Sequence, residues 1–379
     1  MSTPLSIGLI SDDFLPAMTG VGVHLQDLAR ELVSRGHHVF LLTSKRHNEL
    51  KQEEWNGVHI YRLRTLKLYG FYQALPTRQE INQIFIKERP DLIHYHYLGY
   101  MMMQTCHVAQ TLSIPQILTY HFGPSVLTRP LLMRPFRRLI EKQVVAYSNH
   151  LSAIIVPSLP LITELRKNIH VPIHHIANWI SFDEKEYSSL KKDTRPFTIL
   201  FVGRLAYEKN ISLLLRSLKD VFQILPDARL LIIGDGPDKT ILVKESVALH
   251  IDKNVTFLGH IEHDRLPSYY STCDVFVLPS KEETFSLVAI EALWFSKPII
   301  VTRVITSARE LVTEGINGYV VDTDRDQELT QRLITLAHDE SLRNKMGLAS
   351  REKAQAYSKN ILIDSIESLY TRLVKNISH

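Results

Sequence analysis

Only two cysteines, Cys106 and Cys273, occur in 379 residues, and no Cys-x-x-Cys pair is present. That excludes a disulfide scaffold and suits a reducing compartment. Glycine (15) and proline (17) are too few for a collagen-like or low-complexity chain, and a 45% hydrophobic content excludes intrinsic disorder. No apolar run approaches the ~18–20 residues of a membrane-spanning helix. Met1-Ser2-Thr3-Pro4 leads straight into the apolar Leu5–Ile10 with no basic stretch and no small-residue cleavage site. No signal peptide is expected, and a cytoplasmic location is. Charge of one sign is also scarce: the net charge of +4 does not by itself imply a nucleic-acid partner.

What is present is alternation. Short, nearly continuous apolar runs fall at Leu5–Ile10, His38–Thr43, Val58–Leu63, Leu92–Tyr95, Gln116–Tyr120 and Ala153–Pro157. Runs of that kind suit strands buried on both faces of a parallel sheet. Amphipathic stretches separate them. Val21, Leu25, Leu28, Leu32 and Val33 form one stripe at helical spacing, closed by Gly36. A polar segment from Ser181 to Pro196 then interrupts the pattern, as a linker does. Six further apolar runs follow, at Thr198–Val202, Leu230–Ile233, Val255–Leu258, Val275–Leu278, Ile299–Thr302 and Tyr319–Val321. The pattern predicts an α/β protein with two Rossmann-like domains in tandem, at 1–180 and 181–357. An amphipathic helix at 358–379 is able to return to the first domain. Ligands of such sheets bind at the carboxyl ends of the strands, so the chemistry is expected on strand-to-helix loops facing a cleft.

Six loops hold candidate groups. The first, from Asp12 to Gly22, carries Gly20 and Gly22 ahead of a helix whose N-terminus favours an anion. It lacks the third glycine of a dinucleotide fingerprint, and Thr43-Ser44-Lys45 stands where a ribose-binding acid is needed. His94-Tyr95-His96 and Tyr120-His121-Phe122-Gly123 place His96 and His121 at strand ends, with no third ligand at a spacing that makes a metal site. Gly203-Arg204-Leu205-Ala206-Tyr207-Glu208-Lys209-Asn210 pairs a guanidinium with an ammonium on one loop, a fitting cradle for a diphosphate. It is not a P-loop, because no Gly-Lys-Ser/Thr follows. Gly234-Asp235-Gly236-Pro237 reads equally well as a structural turn or a ligand contact.

The sixth loop, Ser280 to Ala292, holds Glu283 and Glu291. If a helix begins near Thr284, eight residues put both carboxylates on one side of it. Glu291 lies among Val288, Ala289, Ile290, Ala292 and Leu293, so burial with a partner or a ligand is expected. Backbone N–H groups near Phe285, Ser286 and Leu287 could hold phosphate. Asp322-Thr323-Asp324 reads as a surface turn.

Taken in order, these pieces resemble the retaining, nucleotide-sugar-dependent glycosyltransferases of the GT-B architecture, family four above all. The signature is Gly203-Arg204-Leu205 with Glu208-Lys209-Asn210, then Gly234-Asp235-Gly236-Pro237, Phe257-Leu258-Gly259, Asp274 to Ser280, and the Glu283-x7-Glu291 pair. The resemblance implies two Rossmann-like domains facing each other across a cleft. It implies that Arg204 and Lys209 bind and stabilise the departing diphosphate, that Glu291 holds the donor ribose, and that Glu283 and His121 lie by the transferred sugar. Gly20, Gly203, Thr284, Phe285, Ser286 and Leu287 complete the donor site. No metal and no cofactor is implied, since cations and a helix N-terminus carry the charge stabilisation. Several family glycines are replaced: Thr19 precedes Gly20, Asn178-Trp179-Ile180-Ser181 and Glu283-Thr284-Phe285-Ser286 depart from pattern, and Thr306-Ser307 precedes Glu310.

For the acceptor, Arg129 to Lys142 interleaves Arg134, Arg137 and Arg138 with apolar residues. A basic amphipathic segment of this kind suits an anionic membrane surface, and His96 joins it as an acceptor-side candidate. The expected partners are therefore a nucleotide-diphosphate sugar and a lipid-linked or cell-envelope glycoconjugate, with peripheral attachment at the inner membrane face. UDP-hexose is favoured as donor over GDP-mannose. Two other classes fit the same cradle: a nucleotide-sugar epimerase or hydrolase, and a non-catalytic sugar-nucleotide-binding protein. A hydride-transferring dehydrogenase fits worst.

Overall fold

The computed structural model describes residues 3–15, 20–46, 49–68, 71–121, 137–180, 182 and 196–376. The chain forms two compact units: Met1–Asn178 together with Asn360–His379, and Trp179–Lys359. The basic segment is described only from Arg137 onward, and almost all of the polar Ser181–Pro196 segment lies outside the described residues.

The first unit is built on β1 (Ser6–Ile10), β2 (His38–Ser44), β3 (Gln52–Trp55), β4 (Val58–Leu63), the hairpin β5 (Thr65–Leu68) and β6 (Phe71–Ala74), β7 (Leu92–Tyr95), β8 (Gln116–Thr119), β9 (Ala153–Val156) and β10 (Ile173–His175). Its main sheet has the order β10-β9-β8-β7-β1-β2-β4-β3. Every pair is parallel except β3 with β4 at the edge. The apolar runs are what this requires: Ile7, Leu9, Ile10, Val39, Phe40, Leu41 and Leu42 are all fully buried, as strands with helices on both faces must be.

Helix Gly20–Ser34 follows β1 and buries Leu25, Leu28, Ala29 and Leu32. It ends where the Gly36 N–H reaches the Val33 carbonyl and the His37 N–H reaches Leu32, with Gly36 at φ 89°; glycine takes that conformation at little cost. The last helix, Lys359–Lys375, buries Leu362, Ile363, Ile366, Leu369 and Tyr370. Within the first unit Arg35 Nη1 holds it through Asp364 (2.5 Å) and Glu367 (2.8 Å). The Tyr370 hydroxyl meets His94 Nδ1 at 2.5 Å.

The second unit carries β11 (Thr198–Val202), β12 (Arg229–Ile233), β13 (Val255–Gly259), β14 (Val275–Leu278), β15 (Ile299–Thr302) and β16 (Gly318–Val321). The order is β13-β12-β11-β14-β15-β16, parallel throughout. Helix Ile211–Ile224 lays Ile211, Leu214, Leu215, Leu218, Val221 and Phe222 into the core. Fully burying a side chain of this size is worth roughly 1.5–3 kcal/mol. Trp179, the large residue at a departure from the family pattern, is buried at 1% exposure.

In each sheet the chain starts in the middle and winds outward in two directions. Neighbouring loops therefore part between β1 and β7 in the first unit and between β11 and β14 in the second. A crevice at the carboxyl ends of the strands opens at each such point, and ligands of open α/β sheets bind there.

Candidate functional site

The second unit's switch point is lined by the loop after β11 and the loop after β14. The first runs from Gly203 through a short turn of 3-10 helix, Tyr207–Lys209, to Asn210, which caps helix Ile211–Ile224 in a left-handed conformation (φ 52°). The second runs from Pro279 to Ser286, the N-cap of helix Leu287–Trp294. They are fastened together: the Lys281 N–H donates to the Glu208 carbonyl at 2.8 Å, and Lys209 Nζ forms an ion pair with Glu283 Oε2. Both side chains are about four-fifths buried, at 18% and 20% exposure, so this pair is less screened than a surface one. Arg204 is exposed on the same loop.

Gly234 and Gly236 explain themselves by close approach. A Cβ on Gly234 would stand 1.9 Å from the Gly203 carbonyl oxygen, and one on Gly236 would stand 2.3 Å from that of Leu205. The turn after β12 lies flat against the Arg204 loop and is hydrogen-bonded to it: Leu205 N–H to Asp235 O (2.9 Å) and Asp238 N–H to Leu205 O (3.0 Å). These glycines shape the cradle from behind.

Ser286 Oγ accepts from the Ala289 N–H at 3.3 Å. Its cap places the helix start three residues later than the sequence suggests. Glu283 therefore stands ahead of the helix, and the expectation that Glu283 and Glu291 share one helical face through their spacing is corrected. Thr284 and Phe285 belong to the loop, Leu287 is the first helical residue, and the Thr306 N–H donates to the Glu283 carbonyl at 2.9 Å. The two carboxylates have separate partners. Glu291 is buried (6% exposure); its Oε1 accepts from His263 Nε2 at 2.9 Å and its Oε2 from the Tyr270 hydroxyl at 2.7 Å. His263 stacks on Phe182 with ring centroids 4.4 Å apart and planes 6° from parallel. Sequence reasoning missed both: Tyr270 lies inside helix Leu266–Thr272, and His263, in the turn after β13, has no spacing that ties it to Glu291. Asp322 pairs with Arg303 (2.9 Å) and Arg325 (3.4 Å), the pairing of a surface turn.

In the first unit the strand ends collect histidines. Gly20 is the first residue of helix Gly20–Ser34 and is exposed. That helix brings His24 to His96, after β7, and His121, after β8. His96 Nδ1 lies 3.1 Å from His121 Nε2, and the His24 ring lies 5.5 Å from that of His121. His94 lies behind His96, with ring centroids 4.1 Å apart and planes tilted by 42°, and is held by Tyr370 and by Thr119 Oγ1 (2.7 Å). Burial keeps all four neutral: His24 and His94 are pushed down to about 3, and His96 and His121 well below the usual imidazole range. The three ligand atoms of His24, His96 and His121 lie within 4.8 Å of one another, so the fold supplies the third imidazole that sequence spacing does not. His96 Nε2 is buried without a hydrogen-bond partner among the described residues. Of the acceptor-side arginines, Arg134 lies outside the described residues, Arg137 opens helix Arg137–Ser148, and Arg138 is exposed.

Two family profiles divide this chain between them. "Glycosyltransferase Family 4" matches residues 18–184, and "Glycosyl transferases group 1" matches residues 182–353. The chain is a family-four glycosyltransferase. This glycosyltransferase is 26% identical to the α-monoglucosyldiacylglycerol synthase of Acholeplasma laidlawii, over 98% of each chain. It is 27% identical to the sulfoquinovosyl transferase SQD2 of Arabidopsis thaliana, over 90% of this chain and 68% of that one. Among solved structures it is similar to a sucrose-phosphate synthase of Thermosynechococcus elongatus, with a TM-score of 0.79 and 22% identity over 98% of this chain and 99% of that one. Anabaena HepE in complex with UDP-glucose gives a TM-score of 0.78 and 19% identity, over 97% and 99%. These likenesses identify the fold as GT-B, with mixed α/β structure in two Rossmann-like domains.

Proposed function

We propose that this glycosyltransferase moves a hexose from a nucleotide-diphosphate sugar, UDP-hexose ahead of GDP-mannose, to a hydroxyl of a lipid-linked or cell-envelope acceptor, with retention and without a metal. The observation that carries the reading is the Lys209–Glu283 pair set at the parting of the loops after β11 and β14. Each side chain satisfies the other. With donor present, Lys209 turns its charge to the diphosphate and Glu283 is released to accept from sugar hydroxyls. Arg204 adds a planar donor fork from the same loop. The amide groups at Phe285, Ser286 and Leu287, at the start of an eight-residue helix, add a positive dipole end. One well-placed donor to a developing anion is worth about 2.7–4 kcal/mol, so this set suffices for leaving-group stabilisation.

Glu291, held by His263 and Tyr270, retains lone pairs for the donor ribose. In the first unit His121 is held neutral by burial, which suits hydrogen bonding to a sugar hydroxyl. Retention follows from same-face attack, and no separate covalent nucleophile is invoked. The lipid acceptor is supported by the likeness to an α-monoglucosyldiacylglycerol synthase and by Arg138 beside the exposed Leu139. No helix among the described residues is long and apolar enough to cross a membrane, so attachment is proposed to be peripheral.

The test is incubation with labelled UDP-glucose, UDP-galactose or GDP-mannose and diacylglycerol vesicles, with product analysis by chromatography and the anomeric configuration by NMR. Sugar joined to lipid in the donor's configuration supports the reading. Only free sugar or an isomerised donor supports the epimerase or hydrolase instead. Activity that persists in chelator bears out metal independence.

A further inference from the structure

We propose that His38, His59 and Glu88 form a binding site for one divalent transition-metal ion of the Zn2+ kind, on the edge of the first unit's sheet opposite to the strand ends just described. His38 is the first residue of β2 and His59 the second of β4. β2 and β4 are parallel, with Phe40 opposite His59, so His38 and His59 project from the same face at the sheet's amino edge. Farther along that face Phe40 and Tyr61 enter the core against Phe85 of helix Arg78–Glu88. Glu88 is the last residue of that helix, and it closes over the two imidazoles.

The donor atoms converge. Glu88 Oε2 is 2.6 Å from His38 Nε2, Glu88 Oε1 is 3.5 Å from His59 Nδ1, and the three ligand atoms lie within 4.8 Å of one another. A tetrahedral ion at 2.0–2.1 Å needs ligand separations of about 3.3 Å, which small side-chain rotations supply. The carboxylate is 3% exposed while each imidazole is 42% exposed. The anion is thus fixed in place and the ion has access from solvent, with water as a fourth ligand. Tyr61 donates its hydroxyl to Glu88 Oε1, the outer-shell support that orients a ligating carboxylate. Lys87 Nζ stands 3.9 Å from the same oxygen but is 62% exposed, free to swing away.

Two imidazoles and one carboxylate select borderline ions such as Zn2+ or Co2+ over Mg2+ and Ca2+, which take oxygen ligands. Binding ties two strands to a helix. It acts on stability, apart from the sugar chemistry.

The experiment uses full-length protein stripped with chelator, titrated with Zn2+ by calorimetry and with Co2+ by visible absorption, beside His38→Ala, His59→Ala and His24→Gln variants. Expected are one Zn2+ per chain, a rise in Tm with Zn2+ and none with Mg2+, and at least tenfold weaker binding in either of the first two variants. Their glycosyl transfer is expected to be unchanged, which separates this site from the proposed reaction. Zn2+ binding that survives both His38→Ala and His59→Ala, that is lost only in His24→Gln, or that is absent at 100 µM metal would overturn the proposal.

Discussion

Lys209 and Glu283, 74 residues apart in sequence, are joined as an ion pair where the two strand-end loops of the second sheet separate. Each is the other's counter-ion until a ligand intervenes. If the pair serves the donor, removing Lys209 costs twice: the diphosphate loses an ammonium, and Glu283 is left as an unpaired, largely buried anion. Lys209→Ala is expected to lower kcat about 10²–10³-fold, with Glu283→Gln milder and showing chiefly in sugar selectivity. Steady-state kinetics with the preferred donor checks this; transfer at the wild-type rate in both variants would remove the site assignment.

Glu291 has two donors, His263 and Tyr270, that fix its carboxylate for the ribose contact proposed for it. Tyr270→Phe or His263→Gln is expected to raise the donor KM several-fold, while kcat changes by less than half that factor. Donor titration of the variants, by kinetics and by calorimetry with the free nucleotide, distinguishes this from a general loss of fold.

Gly236→Ala forces a methyl against the Leu205 backbone, 2.3 Å from its carbonyl oxygen. The atoms it meets are all backbone, so no flexible side chain can give way. A loss of about 3 kcal/mol or more, or displacement of the Arg204 loop with a comparable loss of donor affinity, is expected. Urea unfolding and donor binding measure the two outcomes.

The buried histidines make stability depend on pH. His24 and His94 are neutral in the fold down to about 3, whereas an unfolded histidine protonates near ~6.5. Between those values the unfolded chain binds more protons, so stability falls as pH drops below ~6.5. Each contributes up to about 2 kcal/mol of loss at pH 5. Asp12, pushed up to about 6 by burial, works the other way: its folded form favours the proton between ~4 and 6 and offsets part of the loss. Melting at pH 7.5, 6.5 and 5.5 should show a falling Tm, flattened in His24→Gln.

Tyr370 ties the last helix to the first sheet through His94. Tyr370→Phe leaves a buried ring nitrogen without its partner and is expected to cost about 1–3 kcal/mol, read as a shift in the denaturation midpoint.

The parallel strands apart from β10 were legible because strands covered on both faces must be apolar throughout, and Ile7–Ile10 or Leu200–Val202 can hardly be read otherwise. The edge strands Gln52–Trp55 and Ile173–His175 and the hairpin of β5 and β6 were not, since an edge needs no continuous apolar run. Arg204, Lys209, Glu283 and Glu291 stand out in sequence because each lies on a loop after a strand or at the helix that follows one. Their pairing does not, because it depends on which loops the strand order makes neighbours. His24 was hidden inside a helical stripe that reads as ordinary core. The phase of Glu283 was misjudged because Ser286, read only for its backbone amide, is the cap.

The Ile180 N–H donates to the Tyr357 carbonyl at 2.9 Å, and Ile180 bridges Ser358. The chain thus enters and leaves its second unit through adjacent positions, and that unit is a contiguous insert whose ends meet. A gene fragment encoding 179–359 has the layout of a self-closing cassette, whereas the first unit cannot be obtained by trimming either end of the gene. An exchange of this insert between relatives, joined at Ile180 and Ser358, leaves the histidine-bearing sheet and its returning helix untouched and, on the proposed function, carries the donor loops with it.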